Sequence, residues 1–206
     1  MNPLACASCR PLVEAGIFDV HFPGRLALTL VPLLVVVAAV QGALRASPRA
    51  SARPVFRAGL LLGVGMGGFV DGILLHQILQ WHNMLASQIP VVDLVSSKVN
   101  MFWDGLFHAL TWLTTAAGLT LLWRAGARGE VRGTGRGFIG ALLAGWGLFN
   151  TVEGLIDHQW LGLHHVRPGL HTLQWDIGFL VIGALQAVIG WGLMRASPAR
   201  PEAAAR

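Results

Sequence analysis

Phe69-Val-Asp-Gly-Ile-Leu-Leu-His-Gln-Ile-Leu-Gln-Trp-His82 decides the reading of this chain, because it lies inside an apolar helix and returns eighty-two positions later. From Thr151 to His164 the sequence runs Thr-Val-Glu-Gly-Leu-Ile-Asp-His-Gln-Trp-Leu-Gly-Leu-His, so Asp71, Gly72, His76, Gln77, Leu79 and His82 match Glu153, Gly154, His158, Gln159, Leu161 and His164. An ionisable side chain in a membrane helix is costly and marks a functional site. Here the same acid-then-histidine spacing occurs twice, which predicts a buried polar site of the kind that holds a cation.

The surrounding composition sets that stretch in a bilayer. The chain has 206 residues, 54% of them hydrophobic and 12% charged, with a mean hydropathy of +0.59. This is too apolar for an ordinary soluble domain. The net charge of +5 comes from arginines in short clusters between apolar runs, not along one amphipathic face, so they read as topology signals and nucleic acid is excluded as a partner. Cys6 and Cys9 are too few for a disulfide framework. No Gly-rich phosphate loop, G-x-S-x-G elbow or paired-cysteine ligand motif occurs.

Five runs are long enough to cross a hydrocarbon core of about 30 Å. Leu26 to Leu44 carries no charge and tolerates Pro32; its basic residues follow it, the wrong flank for a cleaved signal. Ala58 to Trp81, Met101 to Trp123, Phe138 to Leu161 and Ile177 to Met194 are the other four. Arg45, Arg49, Arg53 and Arg57 follow the first span, Arg124, Arg128, Arg132 and Arg136 the third, and Arg195, Arg200 and Arg206 the last, so these segments are expected in the cytoplasm. The N-terminus is then outside and the C-terminus inside. The expected organisation is an outer tail (1–25), a peripheral span (26–44), a basic inner linker (45–57) without structure of its own around Ser47, Pro48, Ser51 and Pro54, a four-helix bundle (58–195) and an inner tail (196–206).

The repeat extends beyond the opening stretch. Trp103-Asp104 with Phe107 in the third span resembles Trp175-Asp176 with Phe179 in the fifth, so a helical hairpin occurs twice, at 58–123 and 138–194. Two spans separate the copies, which gives them one orientation and predicts an all-α, pseudo-twofold bundle of parallel repeats. Gly59, Gly63, Gly67 and then Gly68 and Gly72 recur at four-residue intervals, a row read as close helix packing.

At 1.5 Å per residue His76 is expected about 9 Å deeper than His82, and Asp71 about 16 Å deeper. His76, His108, His158, Asp104, Asp157 and Asp176 then share one depth, Asp71 and Glu153 lie below, and His82, His164, His165 and His171 ring the mouth. Imidazole and carboxylate are the usual ligands of zinc, iron or manganese, and bundle cores hold such ions between facing helices. The candidate ligands are His76, His108, His158, Asp157, Asp104, Asp71 and Glu153. Gln77, Gln159 and Asn150 are candidates for orienting them. Asp157 corresponds to Leu75 and His108 to Leu180, so each is present in one copy only, which favours an ion on His76, His108, His158 and Asp157 with Asp176 farther out.

The run from Asp71 to His82, with Asp104-Gly-Leu-Phe-His108 and Glu153-Gly-Leu-Ile-Asp-His158 leading to His164-His165-Val-Arg-Pro168, resembles an uncharacterised family of bacterial membrane proteins, a domain of unknown function, over about Arg57 to Arg195. The resemblance implies a multi-pass protein of the bacterial inner membrane and brings no activity with it. Three readings follow from the site: a membrane metalloenzyme, hydrolytic or redox, with zinc, iron, manganese or copper; a metal-binding or metal-transfer protein assisting a respiratory complex; and a proton or metal-ion carrier. The carrier is disfavoured because the inner halves of the spans are nearly bare of polar groups. Haem on His76 and His158 leaves the carboxylates without a role.

Overall fold

The computed structural model describes residues 9–46 and 53–197, and every regular element in them is helical. The helices are α1 (Cys9–Ile17), α2 (Phe22–Ala46), α3 (Arg53–Phe69), α4 (Leu94–Ala127), α5 (Gly135–Glu153) and α6 (Thr172–Arg195). The chain continues beyond α3 and α5 as π-helix, at Val70–Ile78 and Gly154–Trp160. Among the described residues, five segments are long and apolar enough to cross a membrane: Phe22–Val40, Pro54–Ile78, Leu94–Ala127, Gly135–Trp160 and Thr172–Arg195.

Helices α3 and α5 form the centre, α4 packs on α3, and α6 packs on α5. The two central helices are largely buried, whereas α4 and α6 turn most of their surface outward. Glycine makes the central crossing close: a Cβ on Gly63 would overlap the carbonyl oxygen of Leu142, and one on Gly145 would overlap that of Leu60. Backbones approach this far only where side chains are absent. Helix α2 lies against α3 and α5, and α1 rests on α4.

Several boundaries differ from the sequence reading. The segment 1–25, expected as a tail, contains α1, and the first span starts at Phe22. Asp93 caps α4 with Ser96, each side chain bonding the other's backbone N–H, and so starts that helix seven residues before Met101. Helix α6 starts at Thr172, before Ile177. Pro54 belongs to the first turn of α3, where a missing N–H costs nothing, and not to a linker. Ser47, Pro48 and Ser51 lie outside the described residues, as does Cys6.

The largest departure is at the repeated motif itself. Neither copy remains α-helical to its second histidine. Leu79 N–H bonds Leu74 O at 2.8 Å and Leu161 N–H bonds Ile156 O at 2.7 Å, the i to i+5 pattern of π-helix. Gln80 (φ 50°) and Gly162 (φ 57°) then turn the chain back on itself.

Candidate metal centre

The π-helical turns bring acid and histidine together. Positions five apart on an α-helix point about 140° away from each other, at 3.6 residues per turn. With bonds running i to i+5 the same positions stack one turn apart, and Asp71 Oδ2 comes within 3.0 Å of His76 Nε2. The reversal at Gln80 and Gly162 then folds His82 and His164 back into the bundle. Their depth is therefore not what an unbroken helix predicts: both are buried, and their rings stack at 4.7 Å and 10°. His82 lies 4.4 Å from the His76 ring, and His164 lies 4.9 Å from the His158 ring, centroid to centroid.

Three of the four imidazoles are held by a hydrogen bond at Nδ1, and His158 has none there. His82 Nδ1 bonds Val166 O at 2.8 Å, and His164 Nδ1 bonds Met84 O at 3.0 Å, a reciprocal exchange between the two copies. Asp104 Oδ1 takes His76 Nδ1 at 3.0 Å and the Met84 N–H at 2.8 Å, while Oδ2 takes Asn83 Nδ2 at 2.6 Å. In the second copy Asp176 Oδ1 takes the Val166 N–H at 3.0 Å and lies 3.7 Å from His158 Nδ1, and Oδ2 takes His165 Nδ1 at 2.7 Å and Gln159 Nε2 at 3.3 Å. Such bonds fix ring orientation and leave Nε2 free to ligate.

Apart from the 3.0 Å approach of His76 Nε2 to Asp71 Oδ2, those Nε2 atoms have no hydrogen-bond partner. His82, His158 and His164 each present a buried, unsatisfied Nε2, and Glu153, Asp157 and Asp71 Oδ1 present buried, unsatisfied oxygens. Buried polar atoms without partners are rare and costly, so a convergent set of them requires an account. Two groups have ligand atoms mutually within 4.8 Å: His76, His82 and His164, and Glu153, His158 and His164. Glu153 Oε1 is 3.6 Å from His164 Nε2, and Asp71 Oδ1 is 3.8 Å from His82 Nε2. Burial pushes His82 below the ordinary imidazole value and His164 well below it, the latter with the neighbouring imidazoles adding to the effect. Neutral imidazole is the ligating form.

The other residues singled out from the sequence fall elsewhere. His108 gives its Nδ1 to Asp104 O at 2.7 Å and packs its Nε2 edge on Gly72. Asn150 bonds Gln186 at 3.2 Å, between α5 and α6, and Gln77 is exposed. His165 is part-exposed beside Asp176, and His171 is exposed. The ring contacts run from His76 through the stacked His82 and His164 to His158, which leaves no gap for a porphyrin between His76 and His158. One signal for the buried pair was legible: Gly162, two residues before His164, is the residue type that ends a helix in the left-handed region.

Two openings reach the cluster. A chamber of about 40 Å³, walled by α2 (Thr29, Pro32, Val36) and apolar side chains, ends at Glu153 and Asp157. A groove of about 300 Å³ among α3, α5 and α6 reaches Asp71. At the histidine end Arg167 sits over Trp81 at 5.0 Å and over Trp175 at 5.7 Å.

Fold and site together define a class: a multi-pass helical membrane protein with buried His, Asp and Glu groups able to hold a metal ion. The chain belongs to the family of predicted membrane proteins designated DUF2243, whose model matches residues 58–197. No curated protein and no solved structure matches it.

Proposed function

We propose that this protein is a metalloprotein of the bacterial inner membrane, with a divalent transition-metal centre in the outer third of a pseudo-twofold bundle and with its N-terminus outside. One observation carries the reading: four imidazole Nε2 atoms and the oxygens of Asp71 and Glu153 lie together, buried and with no hydrogen-bond partner outside their own group. The proposed ligands are His76, His82, His158 and His164 with Asp71, Glu153 and Asp157. Asp104, Asp176 and the carbonyls of Met84 and Val166 orient the rings, and His108 supports the Asp71 segment by packing. Zinc, manganese, iron and copper all accept this donor set.

The two copies support the twofold reading through exchanged contacts. His82 to Val166 O repeats as His164 to Met84 O, and Met84 N–H to Asp104 repeats as Val166 N–H to Asp176. A purely structural duplication explains the glycine crossing but not the unpaired donors.

A catalytic role is favoured over storage or transfer by the chamber that meets Glu153 and Asp157, because closed structural sites leave no room beside the ion. The bound ion would supply Lewis-acid or redox chemistry. This chain's own part is to orient the imidazoles, to keep bulk water out and to place Glu153 and Asp157 where a proton is exchanged with a small ligand.

Elemental analysis and a visible spectrum of protein purified in detergent without chelator test the proposal. A stoichiometric transition metal is expected, with zinc pointing to hydrolysis and iron, manganese or copper to redox work. Protein that arrives metal-free and binds none on titration leaves only buried polar packing.

A further inference from the structure

We infer that the centre holds two adjacent ions, one per repeat, an inference that rests on the metal-centre reading above. The donors do not close on one point. His76 and His158 fall in different three-residue groups that share only His164, so the set is elongated along the line of the four rings. Each copy contributes its own acid and two histidines. In the first copy Asp71 approaches His76 at 3.0 Å and His82 at 3.8 Å; in the second, Glu153 groups with His158 and His164. Three donors per ion with a position left open is the count of a reactive site. Seven donor residues exceed what one tetrahedral ion takes.

Charge points the same way. Asp71, Asp104, Glu153, Asp157 and Asp176 are all buried, and no lysine or arginine is buried among the described residues. Buried carboxylates that stay ionised need a positive partner, and two divalent ions meet more of that need than one. Asp157, which occupies the position of Leu75 in the first copy, gives the second ion an extra oxygen and makes the two positions unequal. Paired ions of this kind lie about 3.5–4 Å apart.

Full-length protein in detergent, stripped with chelator and dialysed against cobalt(II), should take up two ions per chain by elemental analysis. Loaded with manganese(II), it should give the exchange-coupled paramagnetic resonance spectrum of neighbouring ions. Glu153→Gln combined with Asp157→Asn should lower the content from two to one and restore the spectrum of an isolated ion; these isosteric changes keep the packing, and circular dichroism confirms the fold. One ion per chain in the wild type, or two without coupling, overturns the inference and leaves the metal centre standing. No ion at all overturns the metal-centre reading itself.

Discussion

Histidines that look alike in sequence differ here in what their second nitrogen does. His76, His82 and His164 spend Nδ1 on an orienting partner and turn Nε2 toward the cluster, where that of His76 meets Asp71, and His158 presents a bare Nε2 with its Nδ1 3.7 Å from Asp176. His108 instead bonds within its own helix. We therefore expect His82→Ala and His164→Ala to remove as much metal as His76→Ala, with His108→Ala retaining most of it, measured by metal content after equilibrium dialysis. Asp104→Asn should weaken affinity by roughly 10–100-fold, the usual cost of losing an orienting carboxylate. The histidines also set a pH dependence. His82 and His164 are depressed in the fold, so near and below the ordinary value of about 6.5 the unfolded chain binds more protons than the folded one. Their stability contribution is thus fully present above that pH and is lost as pH falls. Metal-free wild type should lose more stability between pH 7.5 and pH 5 than a variant carrying His82→Gln and His164→Gln, compared by melting curves, and an equal loss in the two would contradict the buried neutral pair.

At the scale of the element, the π-helical endings of α3 and α5 make the site, and the turns after them are where strain is located. Gln80 holds φ 50°, a conformation that costs a non-glycine residue about 1–3 kcal/mol and is retained where function requires it. Gln80→Gly should leave stability unchanged or raise it by about 1 kcal/mol, whereas Gly162→Ala, at φ 57°, should lower it by a similar amount. Melting curves in one detergent settle both, and a Gln80→Gly protein that melts lower or a Gly162→Ala protein that melts higher would contradict the strained left-handed turns. At the central crossing, Gly63→Val and Gly145→Val must push α3 and α5 apart, since backbone and not a flexible side chain occupies the space. Destabilisation of at least about 1–3 kcal/mol is expected from overpacking.

For the whole molecule, arginine placement predicts an orientation that labelling can test. The loop between α4 and α5, with Arg128 and Arg132, is expected in the cytoplasm, and the loop from Asn83 to Asp93 outside. In a chain whose two native cysteines are replaced by serine, a membrane-impermeant thiol reagent on intact cells should label Gln88→Cys and spare Arg132→Cys until the cells are opened. The reverse pattern inverts the topology and moves the histidine end to the inner face. The 34-residue α4 would extend about 51 Å at 1.5 Å per residue, so part of it must project beyond a 30 Å core.

Hydropathy by itself determined the number of candidate crossing segments among the described residues and their approximate limits, because a 20-residue apolar run has few other stable settings. The repeat likewise announced that Asp71 and His76 belong with Glu153 and His158. It did not reveal that a spacing of five requires a π-turn, since helical periodicity is assumed before it is tested. That is why an unbroken helix placed His82 and His164 at the mouth of the site. Only the tertiary structure decided their place: the reversal at Gln80 and Gly162, and the carbonyls of Val166 and Met84 that each copy lends to the other, are long-range pairings. Composition carries no trace of them, because a backbone carbonyl has the same chemistry in every residue and acquires a role only through where the fold puts it.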